Sequence, residues 1–126
     1  MATTTRRLLR QYLSEATGDW ITGTPSGNGA ADGTTVVDST LARFGDDYFI
    51  DWYVVLPLGK AGATTYECKR CTDFLSSNGT LTTAAFSGQV TTTATYELHR
   101  FDPTLKHTCL NDARLMPPIL YVPIRD

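Results

Sequence analysis

The 126-residue chain lacks any large excess of one charge: eleven Lys and Arg stand against thirteen Asp and Glu, a net charge of −2. That balance exerts no general pull on nucleic acid or on an anionic membrane, so neither a specific nucleic-acid sequence nor a membrane is expected as a partner. Long apolar runs are missing too. The longest, Trp52–Leu58 and Ile119–Ile124, fall far short of the roughly 20 residues a membrane helix needs. Met1-Ala-Thr-Thr-Thr-Arg-Arg7 is not followed by an apolar block with a small-residue cleavage site, so no secretory signal is expected and the chain reads as made in a cytosol. Three cysteines, Cys68, Cys71 and Cys109, are an odd number for such a chain, and reduced thiols are expected over a disulfide framework. No nucleophile elbow, papain-like cysteine context or EF-hand spacing is present.

What is present is a soluble composition, 41% apolar and 19% charged, in a chain of single-domain size. The expected fold is mainly β: a small antiparallel β-barrel or sandwich with an N-terminal helix and a short C-terminal helix. Residues 3–17, within an N-terminal segment 1–18, read as helix, because Leu9, Tyr12, Leu13 and Ala16 repeat at i, i+3, i+4, i+7 and Gly18 is a natural stop. Residues 19–33 read as a glycine-rich loop, dense in breakers from Thr22 to Gly33. The β core is expected over 34–101. Thr34–Asp38 is a brief β-branched strand, and Phe49–Leu56 is apolar on both faces, as a covered central strand would be. Thr64–Cys71 alternates, with Tyr66 and Cys68 on one face. Asn78-Gly79 predicts a type I′ hairpin between Asp73–Leu75 and Thr80–Phe86. Ala94–Phe101 reads as a strand with Tyr96 and Leu98 inward and Glu97 and His99 outward. Asp102-Pro103 opens a helix over 102–116, since aspartate caps and proline suits the first helical position. Leu105, Cys109 and Ala113 form its apolar line. Pro117-Pro118 ends it, and 117–126 reads as an extended tail.

Each chemistry-bearing group has an ordinary reading beside the sharper one. Cys68-Lys-Arg-Cys71, with His99, His107 and Cys109, supplies zinc-ligand types. However, strand spacing sends the two cysteines to opposite faces, so one thiol is expected to pack beside Tyr66 and Cys109 to sit in the helix core. No metal, cofactor or catalytic residue is expected. Asp46, Asp47 and Asp51 suit turn capping better than calcium binding. Tyr48, Trp52, Tyr53 and Tyr66 suit packing better than stacking on bases or sugars, for want of a basic groove. Arg6, Arg7 and Arg10 lie near a helix N-terminus, where the dipole disfavours cations; they read either as a solvated face or as an interface for an acidic partner surface. In the tail, Leu120, Tyr121 and Val122 are apolar enough to be interface residues.

Asp46-Asp-Tyr-Phe-Ile-Asp-Trp-Tyr-Val-Val-Leu56, Arg70-Cys-Thr-Asp-Phe74, Gly79-Thr-Leu-Thr82, Ala85-Phe-Ser87 and Tyr96-Glu-Leu-His-Arg-Phe-Asp-Pro103 follow one another in a pattern that resembles small virion structural proteins of tailed bacteriophages. The resemblance covers about residues 34–125, and its motifs are packing and turn motifs. Cys68-Lys-Arg-Cys71 departs from it, standing where a plainer basic strand is expected. The resemblance implies a non-enzymatic assembly part. The expected form is a neck or head–tail connector or a tail-associated ring subunit, with a capsid-decoration or fibre-anchoring subunit as the alternative. Its implied partners are portal, connector or tail proteins and copies of itself, in a virion assembled in the bacterial host cytoplasm. A free-standing carbohydrate-binding β module, using Trp52 and the tyrosines, is the competing class.

Overall fold

The computed structural model describes residues 6–62 and 65–115, with side chains over 7–62 and 65–112. The chain forms α1 (Arg6–Thr17), β1 (Trp20–Gly23), β2 (Thr35–Val37), a 3₁₀ turn (Ser39–Arg43), β3 (Tyr53–Leu56), β4 (Glu67–Leu75), β5 (Thr80–Thr83), β6 (Tyr96–His99) and α2 (Pro103–Leu115). The strands make one antiparallel sheet in the order β1-β6-β3-β4-β5-β2. The expected mainly-β domain with a helix at either end is therefore what forms, but the sheet does not close into a barrel. Among the described residues no helix is long and apolar enough to cross a membrane.

The sheet curls strongly instead. β4 carries an irregularity between Cys71 and Asp73, and an extra residue of this kind bends and twists a strand. The bend lets Val36 of β2 and Leu81 of β5 share one core with Leu98 of β6, Val54 of β3 and the aromatic rings of Phe49 and Phe74. Each such fully buried side chain contributes about 1.5–3 kcal/mol of transfer free energy. Tyr96 of β6 closes the curl by donating its hydroxyl to Asp38 Oδ2, just beyond β2. Those two strands stand far apart in the sheet order, so the bond measures how tightly the sheet is rolled.

Several boundaries differ from expectation. The glycine-rich loop conceals β1, which pairs Trp20 with His99 and Ile21 with Leu98; its short β-branched stretch was outweighed by the breakers that follow. The remainder of that segment is the loop expected. It is stitched to the body through Ser26 N–H to the Val37 carbonyl, and through Gln89 to the Gly29 carbonyl. The central strand starts only at Tyr53, because residues 46–51 turn: Asp47 and Asp51 both adopt left-handed φ, 64° and 71°. Aspartate tolerates that region by bonding its own backbone. Asp46 accepts the Ser76 amide at 2.7 Å, Asp51 pairs with Arg70 in an exposed bridge, and Asp47 contributes through its backbone, whose carbonyl accepts the Ile50 amide, so all three serve the turns.

The Asn78-Gly79 hairpin forms where expected, with Leu75 opposite Thr80. Its loop has four residues, not two, and Gly79 alone takes positive φ, 69°. A Cβ there would lie 1.9 Å from the Asp38 carbonyl oxygen. Gly79→Ala is expected to cost about 2 kcal/mol through strain and that clash, read as a lower urea midpoint at unchanged slope. An unchanged midpoint would refute the packing of this turn against the 3₁₀ segment.

Candidate functional site

The two helices attach to the sheet in a way the sequence pattern does not foretell. Register places Glu97 and His99 of β6 on the same face as Val55 and Tyr53 of β3, opposite the apolar core. That face, expected to meet solvent, is covered by α1 and α2, and Glu97 and His99 are 2% and 0% exposed. The helix layer therefore supplies polar partners, and α1 presents Arg10 and Ser14 inward. The expected apolar stripe is turned away: Leu9 and Tyr12 are exposed, Tyr12 to 57%. On α2, Lys106 is buried while Leu105 is 63% exposed and Cys109 lies on the surface. Both helix orientations thus reverse the expected ones for a single reason. A sheet face carrying a carboxylate and an imidazole must be covered by groups that bond them, since burying either unpaired costs far more than leaving a leucine in water.

The cluster is closely connected. Arg10 grips Glu97 in a bidentate pair, Nε to Oε1 at 3.1 Å and Nη2 to Oε2 at 2.8 Å. Its Nη1 donates to His107 Nε2 at 2.8 Å. Lys106 Nζ donates to Asp19 Oδ2 (2.7 Å), His99 Nδ1 (2.8 Å) and Ser14 Oγ (2.9 Å). Asp19 also accepts from the Phe101 amide and the Thr17 hydroxyl. These bonds settle the protonation of His99. An ammonium only donates, so Nδ1 is a bare acceptor, and Nε2 carries the proton it gives to Glu97 Oε1 at 2.9 Å. His99 is the neutral Nε2–H tautomer. By the same logic the guanidinium makes His107 Nε2 an acceptor.

Electrostatics follow from the geometry. Burial alone would raise the Glu97 pKa, but bonds from His99 and Arg10 outweigh it and hold the carboxyl near 2. Burial lowers the His99 pKa against the pull of Glu97, and the Lys106 charge adds to the lowering. For Asp19, bonds from Lys106, Thr17 and Phe101 overcome burial and depress its pKa. Burial lowers the Lys106 pKa despite Asp19. Alongside, Tyr66 stacks near His107 and beneath the Arg10 guanidinium, 5.5 Å from the ring centroid. Burial pushes the Tyr66 hydroxyl to about 12 and the neighbouring Cys68 thiol to about 11.

Ser14 Oγ, His99 and Glu97 stand in the order of a hydrolytic triad, with Oγ 3.2 Å from Nδ1. Two features block that chemistry in this conformation. The Nδ1 lone pair that would take the serine proton is occupied by Lys106, and Ser14 is 0% exposed, so its oxygen faces no external carbonyl. What the cluster does is fasten helices to sheet.

The residues expected to form interfaces scatter. Arg10 is 2% exposed and finds its acidic partner, Glu97, within its own chain. Arg7 sits at the rim, 3.8 Å from Glu97 and half exposed. The Arg6 side chain and Leu120, Tyr121 and Val122 lie outside the described residues, as does Ala113 of the α2 line. Cys71 joins the apolar core while Cys68 lies on the helix side next to Tyr66, so the C-x-x-C is split across the sheet. The thiol beside Tyr66 is thus partly buried Cys68, and the fully buried one is Cys71. Among the described residues no three His, Cys, Asp or Glu are grouped to hold a metal ion. The alternation and apolar periodicity of the sequence do not mark Glu97, Lys106, Asp19 or Ser14 as a group. The signal that does point to them is the polar stripe Arg7, Arg10, Ser14, Thr17, which repeats at helical spacing as regularly as the apolar one.

A second feature lies at the end of the sheet where β3 begins. Phe44, Tyr48, Phe49, Trp52 and Phe74 interlock with centroid separations of 4.8–5.8 Å. Phe49 and Phe74 are buried, whereas Tyr48 is 49% exposed, and Ile50, Leu75 and Phe101 are also exposed. The loop is held by Asp47 N–H to the Phe74 carbonyl and Asp51 N–H to the Cys71 carbonyl. Arg43 covers Phe44 and Arg70 pairs with Asp51, giving an apolar centre with charged groups around it. The chain matches no family model, no curated protein and no solved structure.

Proposed function

We propose that this chain is a non-enzymatic structural component of a tailed-phage virion, a neck or head–tail connector or tail-associated ring subunit that works through protein–protein contacts. The observation carrying this reading is the aromatic loop around Tyr48. Large rings are held rigidly and left partly open, with charges around them, which is the anatomy of a contact surface whose centre is desolvated on association. The buried charges support it from the other side. Arg10, Glu97, His99, Lys106 and Asp19 are consumed in holding the fold, and contact surfaces are left to apolar side chains. The motif resemblance supplies the virion setting and the partners: portal, connector or tail proteins and further copies of the chain in a ring with head-to-tail contacts.

Sedimentation velocity tests this. The chain is expected to form a closed oligomer, and Tyr48→Ser is expected to weaken association by at least about 2 kcal/mol, roughly 30-fold, with an unchanged circular dichroism spectrum. A chain that stays monomeric at every concentration, with and without neck and tail components, defeats the ring-subunit reading.

A further inference from the structure

Two asparagines of this chain precede glycine, Asn28 and Asn78, and one aspartate does, Asp32. Such pairs can close on themselves. The glycine amide nitrogen attacks the side-chain carbonyl carbon, and glycine offers no Cβ to hinder the ring; asparagine counts among the thermolabile residues. Within a fold, the outcome depends on what holds the attacking nitrogen and the carbonyl it attacks. Gly29 N–H donates to the Val90 carbonyl at 2.9 Å, and Asn28 Oδ1 accepts the Thr92 amide at 3.3 Å. Gly33 N–H donates to the Ala30 carbonyl at 3.0 Å, and Asp32 Oδ1 accepts both the amide and the hydroxyl of Thr34. In both pairs the nitrogen is committed, and the loop has to open before it can attack.

The third pair is arranged differently. Gly79 N–H donates to no acceptor among the described residues, while the Gly79 carbonyl accepts the Asp38 amide at 3.0 Å. Asn78 is exposed, and its Oδ1 accepts the Thr80 hydroxyl at 2.6 Å. That hydroxyl points at the oxygen on which negative charge builds as the nitrogen adds, the place where a donor speeds acyl transfer. We propose that Asn78 is a self-modifying position, converting to aspartate and isoaspartate through a cyclic imide with Gly79 whose formation the Thr80 hydroxyl assists. Gly79 N gives its proton to solvent base and bonds to Asn78 Cγ, the carboxamide C–N bond breaks, and ammonia leaves. Water then adds to one ring carbonyl and breaks its bond to the ring nitrogen. Opening at Cγ leaves aspartate. Opening at the Asn78 main-chain carbonyl leaves isoaspartate, with the side-chain methylene now part of the backbone. The sum is one water in and one ammonia out, with no oxidant or cofactor. Isoaspartate lengthens the turn that packs against Asp38, so the modification acts on the same contact that Gly79→Ala disturbs. The inference needs only the folded chain and is independent of any virion role.

Incubating the full, folded chain in mildly alkaline, ammonium-free buffer and mapping its peptides by mass tests this without any substitution. The Asn78 peptide is expected to gain the mass of amide-to-acid exchange and to become a substrate for an isoaspartyl methyltransferase. Asn28 is expected to react at least about tenfold more slowly, because two hydrogen bonds must first open there. In urea the two asparagines are expected to react at closely similar rates, since the difference belongs to the fold. An unmodified Asn78 in the folded chain, an Asn28 that reacts as fast or faster, or the same ratio of rates in urea overturns the proposal. Thr80→Val is expected to slow the folded-state reaction at Asn78 about threefold or more, whereas Thr80→Ser keeps the native rate. A folded Thr80→Val chain that reacts as fast as the native one overturns the assisting role of the hydroxyl. Neither result bears on the sedimentation experiment, and a monomeric chain leaves both intact.

Discussion

Glu97→Ala lowers the free energy of unfolding by roughly 3–5 kcal/mol, the cost of stranding a buried cation. Glu97 is the acceptor for both the Arg10 fork and the His99 Nε2–H, and Arg10 is too enclosed to find water. The magnitude comes from the partners left behind, not from the attraction of the pair itself, since two desolvated charges roughly break even against an apolar substitute of similar volume. The paired replacement Arg10→Met with Glu97→Leu should therefore be milder than Glu97→Ala alone, recovering at least about 2 kcal/mol. Urea denaturation of the three variants decides it. If the double variant is the least stable, the cluster supplies net binding energy between helices and sheet, and α1 does not face inward merely to satisfy a buried carboxylate.

Stability falls with acid in two stages. Ser14 and Arg10 from α1, Glu97 from β6, Lys106 from α2 and Asp19 after α1 surround His99, and this setting holds the ring neutral. Its folded pKa lies below the ordinary 6.5, so the unfolded chain binds the proton first. The neutral ring's contribution is complete above pH 6.5 and is lost as the pH falls below that value toward the folded one. Glu97 acts lower: held near 2 instead of 4.5, its contribution is complete above pH 4.5 and disappears as the pH falls from 4.5 toward 2. It amounts to something on the order of 3 kcal/mol. Asp19 adds in the same direction below 3.8. Lys106, whose pKa is lowered from 10.5, acts on the alkaline side and leaves this window alone. Each proton taken up on unfolding gives a slope of about 1.4 kcal/mol per pH unit. Denaturant midpoints at a series of pH values should show an upper limb that His99→Gln flattens and a lower limb that it weakens without abolishing, because Arg10 still bonds Glu97. A profile level from pH 7.5 to 4.5 would mean the ring is not held neutral.

The elements readable from the chain were those whose causes are local. Asp102-Pro103 starts a helix because the Asp102 carboxylate accepts the Thr104 amide, and Asn78-Gly79 turns because Gly79 tolerates positive φ. Val54, Val55 and Leu56 form a covered strand because they are apolar on both sides. The cluster around Glu97 was not readable, because alternation in a strand says which residues share a face but not what covers that face. Glu97 and His99 look solvent-facing until one knows that Arg10, 87 residues away, lands on them. The same ignorance inverted α1: two stripes of equal regularity run along it, and only the sheet face beneath selects the polar one. β1 was lost for a different reason, being an edge strand of four residues next to a run of breakers.

The pairing of β1 with β6 carries a consequence for synthesis. α1 and β1 leave the ribosome well before the partners that dock them, on β6 and on α2, which are encoded beyond Ala94. While translation proceeds, a basic helix with one greasy flank waits without its docking face, and the intervening hairpins must roll up first. Closure of this fold therefore waits for Lys106, whose arrival lets α1 and β1 settle against α2 and β6.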